Sequence, residues 1–94
     1  MQMLMIIVES THKEKLEAAL SERHVLGYTE LPTVYGMGQT GMRLGSRAFP
    51  ETSSIIFTVV EREKVDELLQ AIDSSCAQCR QAMRMIVWGV ERMA

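Results

Sequence analysis

Residues 36–47 read GMGQTGMRLGSR. The first six, Gly36-Met37-Gly38-Gln39-Thr40-Gly41, match G-x-G-x-x-G letter for letter, so the reading of this stretch decides the fold. In a dinucleotide-binding α/β fold such glycines follow a strand and open a helix whose N-terminus carries the pyrophosphate. A strand does precede them, because Tyr28 to Tyr35 holds Thr29, Thr33, Val34 and Tyr35. No helix can follow, since Met42 to Glu51 contains Gly45 and Pro50 and has no apolar periodicity. Glu61 stands about 20 residues on, where an acid would reach a ribose, but it closes the next strand with no crossover helix between. A P-loop is excluded as well: Met42-Arg43 replace the Lys-Ser/Thr pair that holds phosphate and metal.

Upstream of the glycines, QMLMIIVE (2–9) is a continuous apolar run closed by an acid, the pattern of a central strand. Glu14 lies three residues after Thr11, a capping-box spacing. Leu16, Ala19 and Leu20 then recur opposite Lys13, Lys15, Glu17 and Glu22, which predicts a helix over 11–23 with Gly27 beyond its end. Pro32 makes the strand around it an edge, a bulge or an irregular stretch. Downstream, SIIFTVV (54–60) is a strand, and Val65, Leu68, Leu69 and Ile72 give the full helical stripe of a second helix starting near Glu63. RMIVWGV (84–90) is the last strand. The order β-α-β-β-α-β predicts an α+β, ferredoxin-like βαββαβ sandwich over residues 1–94, one four-stranded antiparallel sheet with two helices on one face. Its other face is then uncovered. Strands 2–9 and 54–60 are apolar on both faces, which predicts a homo-oligomer.

Composition narrows the function classes. Ninety-four residues with 47% apolar and 23% charged residues suit one globular domain. A net charge of −2 implies no general affinity for nucleic acid. No apolar run approaches the roughly 20 residues of a membrane span, and the apolar start lacks a basic n-region and a cleavage site. Two cysteines without further partners suit a cytoplasmic protein.

Two readings of the glycine segment remain. In the first, the glycines only allow a hairpin connection by supplying φ > 0. Alternatively, Gly36, Gly38 and Gly41 let an anion approach bare backbone N–H groups, with Gln39 and Thr40 as neutral donors and Arg43 and Arg47 as charge partners. No acid lies between Gly36 and Pro50, and connections of this length without secondary structure are usually functional or disordered. Cys76-Ala77-Gln78-Cys79 is a C-x-x-C pair, able to hold a soft metal ion or to act as a redox switch. Positions 76 and 79 also continue the stripe of the second helix, and buried cysteine packs as a small hydrophobe. His12 and His24 flank the first helix as solvated side chains, with His24 suited to a helix C-terminus. Trp88 fits the core or an interface, the eight methionines fit packing, and Arg80, Arg84 and Arg92 fit either a cleft or a solvated basic face. No nucleophile–base spacing argues for catalysis.

The chain resembles the PII signalling family. The likeness covers all elements in order and is most specific at Gly27-Tyr28-Thr29, similar to the Gly-hydrophobic-Thr opening of the second PII strand, and at residues 36–41, similar to the Gly-rich start of the PII T-loop but one residue shorter. This resemblance implies a homotrimer that binds ATP or ADP between subunits, with Thr29, Gly38 and Gln39 on the nucleotide side and Gln39 beside Mg²⁺. The chain departs from the pattern in three places. Its T-loop counterpart, Gly41 to Ser53, has only about a dozen residues and no tyrosine. SSCAQCRQAMR replaces the Gly/Lys-rich phosphate loop, and Arg92 alone echoes the C-terminal arginine pair. The resulting expectation is a regulatory PII-like protein, not an enzyme. It binds a small anionic ligand, with an adenine nucleotide as one candidate, and signals to a partner protein through loop 36–53. The alternative is a CutA-like or PII-like metal-tolerance trimer binding Cu or Zn through Cys76 and Cys79.

Overall fold

The computed structural model describes all residues except Leu26, Gln39 and Thr40. Strand β1 (Gln2–Glu9) is the centre of the sheet, as its uninterrupted apolar run requires. It pairs antiparallel with β5 (Ser53–Val60) along its full length and with β6 (Met83–Gly89) on its other side. Strand β2 (Thr29–Val34) adds to β5 at the edge, giving the order β2-β5-β1-β6. The β2 register shifts between Leu31 and Val34, and Pro32, which has no N–H to give, lies inside that shift.

Helices α1 (Lys13–Glu22) and α2 (Arg62–Ser75) pack on one face of the sheet and against each other. Alternation then sorts the strand residues. Leu4, Ile6 and Val8 of β1 are fully buried against Leu16, Leu20, Leu68 and Ile72 of the helices, and Ile56 of β5 joins them. Each such side chain contributes about 1.5–3 kcal/mol by leaving water. On the opposite face, Met3, Met5, Ile7, Ile55, Phe57 and Val59 stay half-buried, while Leu31, Ile86 and Trp88 are exposed. Among the described residues no helix is long and apolar enough to cross a membrane.

Three local readings need correction. The capping box does not form: Ser10–His12 make a 3₁₀ turn, α1 begins at Lys13, and the Thr11 hydroxyl donates to Glu9 instead. The turn wins because Ser10 is tied elsewhere, its N–H to the Thr52 carbonyl and its hydroxyl to Thr52 and Ser54. Helix α1 ends at Glu22, within a residue of the expected end, with Gly27 beyond it. His24 takes φ 60°, its N–H reaches the Ser21 carbonyl and that of Val25 reaches Leu20, a left-handed cap built without glycine. Residues 36–43 are not structureless, because β3 (Gly36–Gly38) and β4 (Gly41–Arg43) pair as an antiparallel ribbon. Finally, the α2 stripe does not run on through the cysteines. Cys76 is extended (φ −154°, ψ 81°) and starts a separate short helix, α3 (Ala77–Gln81).

Candidate functional site

The ribbon β3–β4 stands beside the uncovered face of the sheet and closes one side of a cleft of about 520 Å³. Gly36, Met37, Gly38 and Gly41 form its wall, Ile7, Ile55 and Ser53 its floor, and Arg43 and Arg84 supply its charge. No carboxylate lines it among the described residues. A Cβ added at Gly36, Gly38 or Gly41 would meet nothing within 4 Å. Internal packing therefore does not demand these glycines. Only Gly41, at φ 127°, is demanded by its backbone conformation. What bare backbone does give is close access to the main chain from the cleft. The ribbon is extended rather than a concave nest, and every second N–H of such a strand points away from its partner.

Arg43 is a buried charge with a defined anchorage. Its Nη1 donates to the Ser53 hydroxyl at 3.1 Å and its Nη2 to the Ala82 carbonyl at 3.3 Å. The same carbonyl accepts the Glu9 N–H at 3.0 Å. The ribbon is thus bolted to β5, to β1 and to the segment behind α3. Beyond Arg43, Gly45 N–H donates to the Glu51 carbonyl and Ser46 N–H to the Phe49 carbonyl, closing the connection into a compact turn. Gly45 takes φ 61°, and a Cβ there would lie 2.3 Å from the Tyr35 ring.

The sequence-identified residues divide accordingly. Gly36, Gly38, Gly41 and Arg43 come together at the cleft. Thr29 lies on β2 opposite Phe57, and Arg47 lies exposed in the turn after β4, so neither lines it. Gln39 and Thr40 lie outside the described residues. Of the three C-terminal arginines, Arg84 joins the cleft, while Arg80 pairs with Asp73 at 2.9 Å. Ile7, Ile55 and Ser53 were not singled out from sequence; the period-2 alternation that puts Ile6 and Ile56 in the core was the available signal for both isoleucines.

Between α1 and β2 a polar cluster fixes β2. Lys13 bonds Glu30 at 2.8 Å, and this bond, with the charges of Glu30, Glu17 and Glu14, raises the Lys13 ammonium above the usual lysine range despite some desolvation. Tyr28 donates to the Glu17 carboxylate at 2.6 Å, which raises its phenol.

Cys76 and Cys79 are both buried in the core cluster, as the stripe implied, but they are joined by a disulfide rather than free. The extended Cys76 turns its side chain back over the first turn of α3, where its sulfur also receives the Cys79 N–H at 3.2 Å.

A sandwich of this topology, with two helices on one face of a four-stranded antiparallel sheet, has the ferredoxin-like fold. The family model of nitrogen regulatory protein P-II matches residues 1–93, and the chain belongs to that family. Among solved structures, it is similar to CPII, a nitrogen regulatory PII-like protein from Thiomonas intermedia K12. The form bound to ADP, AMP and bicarbonate is 27% identical, with a TM-score of 0.71 over 97% of this chain and 88% of that one. The form bound to ADP and bicarbonate gives the same identity of 27%, TM-score of 0.71 and coverage of 97% and 88%. A form bound to ADP, AMP and acetate, at 24% identity and TM-score 0.73 over 97% and 88% of the chains, repeats the fold. No curated protein matches the chain.

Proposed function

We propose that this protein is a cytoplasmic PII-like sensor: a homotrimer that binds a small anionic ligand at clefts between subunits and signals to a partner protein through loop 36–53. The observation that carries the reading is the cleft itself. It joins bare glycine backbone, Arg84 and the buried Arg43 in about 520 Å³, within the usual size of small-molecule sites. Its floor, Ile7 and Ile55, belongs to the uncovered apolar face, so covering that face with a second copy turns the cleft into an inter-subunit one. CPII, to which the chain is similar, binds ADP, AMP and bicarbonate, which makes an adenine nucleotide or bicarbonate the first ligand to try. The function is binding, not catalysis: the ligand's charge meets backbone and guanidinium groups.

Isothermal titration of the purified protein with ADP, AMP and bicarbonate tests this. One of them should bind, and at 100 times Kd should add about 2.7 kcal/mol of stability. Arg84→Ala should weaken that binding about tenfold, equivalent to about 1.4 kcal/mol. Absence of heat and of thermal shift with all three ligands at millimolar concentration would defeat the proposal.

A further inference from the structure

Outside the cleft, where the turn after β1 meets the end of α2 and α3, three metal-ligating side chains converge. The ligand atoms of His12, Cys76 and Cys79 all lie within 4.8 Å of one another. His12 comes from the turn between β1 and α1, and the Cys79 sulfur lies 3.8 Å from its carbonyl oxygen. Three separate elements therefore meet at one point: the turn after β1, the end of α2 and the start of α3.

We propose that, when the disulfide is reduced, His12, Cys76 and Cys79 bind one thiophilic d¹⁰ cation, Cu(I) or Zn(II). The donor set, two sulfurs and an imidazole with no carboxylate among the three, is the soft kind that selects such ions over Mg²⁺ or Ca²⁺. The size also fits. Metal–sulfur bonds of about 2.3 Å and metal–nitrogen bonds of about 2.0–2.1 Å place donor atoms about 3.5–3.8 Å apart, inside the present separations once the sulfur–sulfur bond is open. Cys76 is 4% and Cys79 0% exposed, so an ion held by both sulfurs is largely shielded from bulk water. His12 is only half-buried and leaves an entry on its side. The Cys79 N–H aimed at the Cys76 sulfur favours that sulfur as thiolate, the form that ligates. Three donors complete a trigonal Cu(I); Zn(II) takes water as its fourth ligand from the exposed side of His12.

The chemistry balances in two steps. A dithiol reductant gives two electrons and two protons to the Cys76–Cys79 disulfide, leaving two thiols here and a disulfide on the reductant. The cation then replaces the two thiol protons, which are released, while the neutral His12 nitrogen donates its lone pair. In the oxidised protein both sulfurs are committed to each other and the site is closed. This inference is independent of the anion cleft.

The full-length protein, reduced with a dithiol and freed of reductant under anaerobic conditions, is titrated with Zn²⁺ and, separately, with Cu(I) against a competing chelator. One ion per chain in either arm, with sulfur and nitrogen scatterers in the X-ray absorption spectrum, is the expected result. The oxidised protein should bind none, and His12→Ala should weaken binding at least tenfold. Cys76→Ser should abolish it, and because a core cysteine variant can fail to fold, the surface-side His12→Ala result stands as the independent check. Failure of the reduced, folded protein to bind either ion would overturn the proposal. So would binding that His12→Ala leaves unchanged, or binding by the oxidised protein.

Discussion

Replacing Arg43 with methionine isolates what holds the ribbon to the sheet. Methionine keeps the buried stem and removes the guanidinium, and with it the bonds to the Ser53 hydroxyl and the Ala82 carbonyl. Hydrogen bonds from a charged donor each contribute about 1.5–3 kcal/mol. The two acceptors do not suffer equally. The Ala82 carbonyl retains the Glu9 N–H, whereas buried Ser53 is left short of a partner. Discounting the Ala82 bond for that reason, the expected loss is about 2–3 kcal/mol. For a domain of this size each kcal/mol moves Tm by about 4–8 °C, so Tm should fall by about 10–20 °C at fixed protein concentration. Arg43→Lys should fall between wild type and Arg43→Met, since one ammonium lacks the fork that reaches two acceptors. Amide exchange locates the effect: the N–H groups of Gly36 and residue 43, a hydrogen-bonded pair of the ribbon, should lose protection before β1 does. A Tm within 2 °C of wild type, with the ribbon still protected, would refute the anchoring role.

Other positions give sharper, smaller tests. Gly45→Ala puts a Cβ at φ 61° and against the Tyr35 ring, so it should cost about 1–2 kcal/mol for the backbone plus a ring displacement that Tyr35→Ala relieves in a double-mutant cycle. His24→Gly should stabilise by about 1 kcal/mol in denaturant unfolding, because the left-handed cap no longer strains a Cβ. The Tyr28–Glu17 bond needs a protonated phenol, so its contribution is whole below the unfolded tyrosine's pKa and is lost as pH rises through the raised folded value; Glu17→Gln should shift the Tyr28 titration downward in ring-carbon NMR. Trp88→Glu places a charge on the exposed apolar face, and under the trimer proposal it should yield monomers by light scattering.

The legible part of this structure is the part written in periodicity. Leu4, Ile6 and Val8 alternate toward the helices, and Leu68 and Ile72 recur along α2, so strands, helices and their buried faces follow from spacing alone. Pro32 announced the irregular edge of β2 for a local steric reason. What stayed hidden depends on contacts distant in sequence. Arg43 reads as an exposed charge among glycines, yet its acceptors lie 10 and 39 residues away. His12 reads as a solvated residue at a helix start, and the sulfur beside its carbonyl is 67 residues away. The break at Cys76 has no glycine or proline to mark it; the extended backbone there is set by the closure of the disulfide and the start of α3.

Ala82 shows why the departures from the PII pattern belong together. Its N–H is held by the Gln78 and Cys79 carbonyls, and its own carbonyl accepts from both Glu9 and Arg43. The residues leading to it, 76–81, occupy the connection between α2 and β6 where the family resemblance calls for a Gly/Lys-rich loop. In this disulfide-closed segment the N–H groups of Cys76, Cys79 and Ala82 are bonded to carbonyls of α2 and of the segment itself, and are not offered to a phosphate as those of an open glycine loop are. The positive charge of the cleft therefore comes from the sheet side, from Arg84 on β6 and from Arg43, which reaches across to the very carbonyl that ends the cysteine segment. Cleft and cysteine pair are two ends of one hydrogen-bonded unit, and a change in the geometry of 76–81 has to pass through Ala82 before it meets the ribbon.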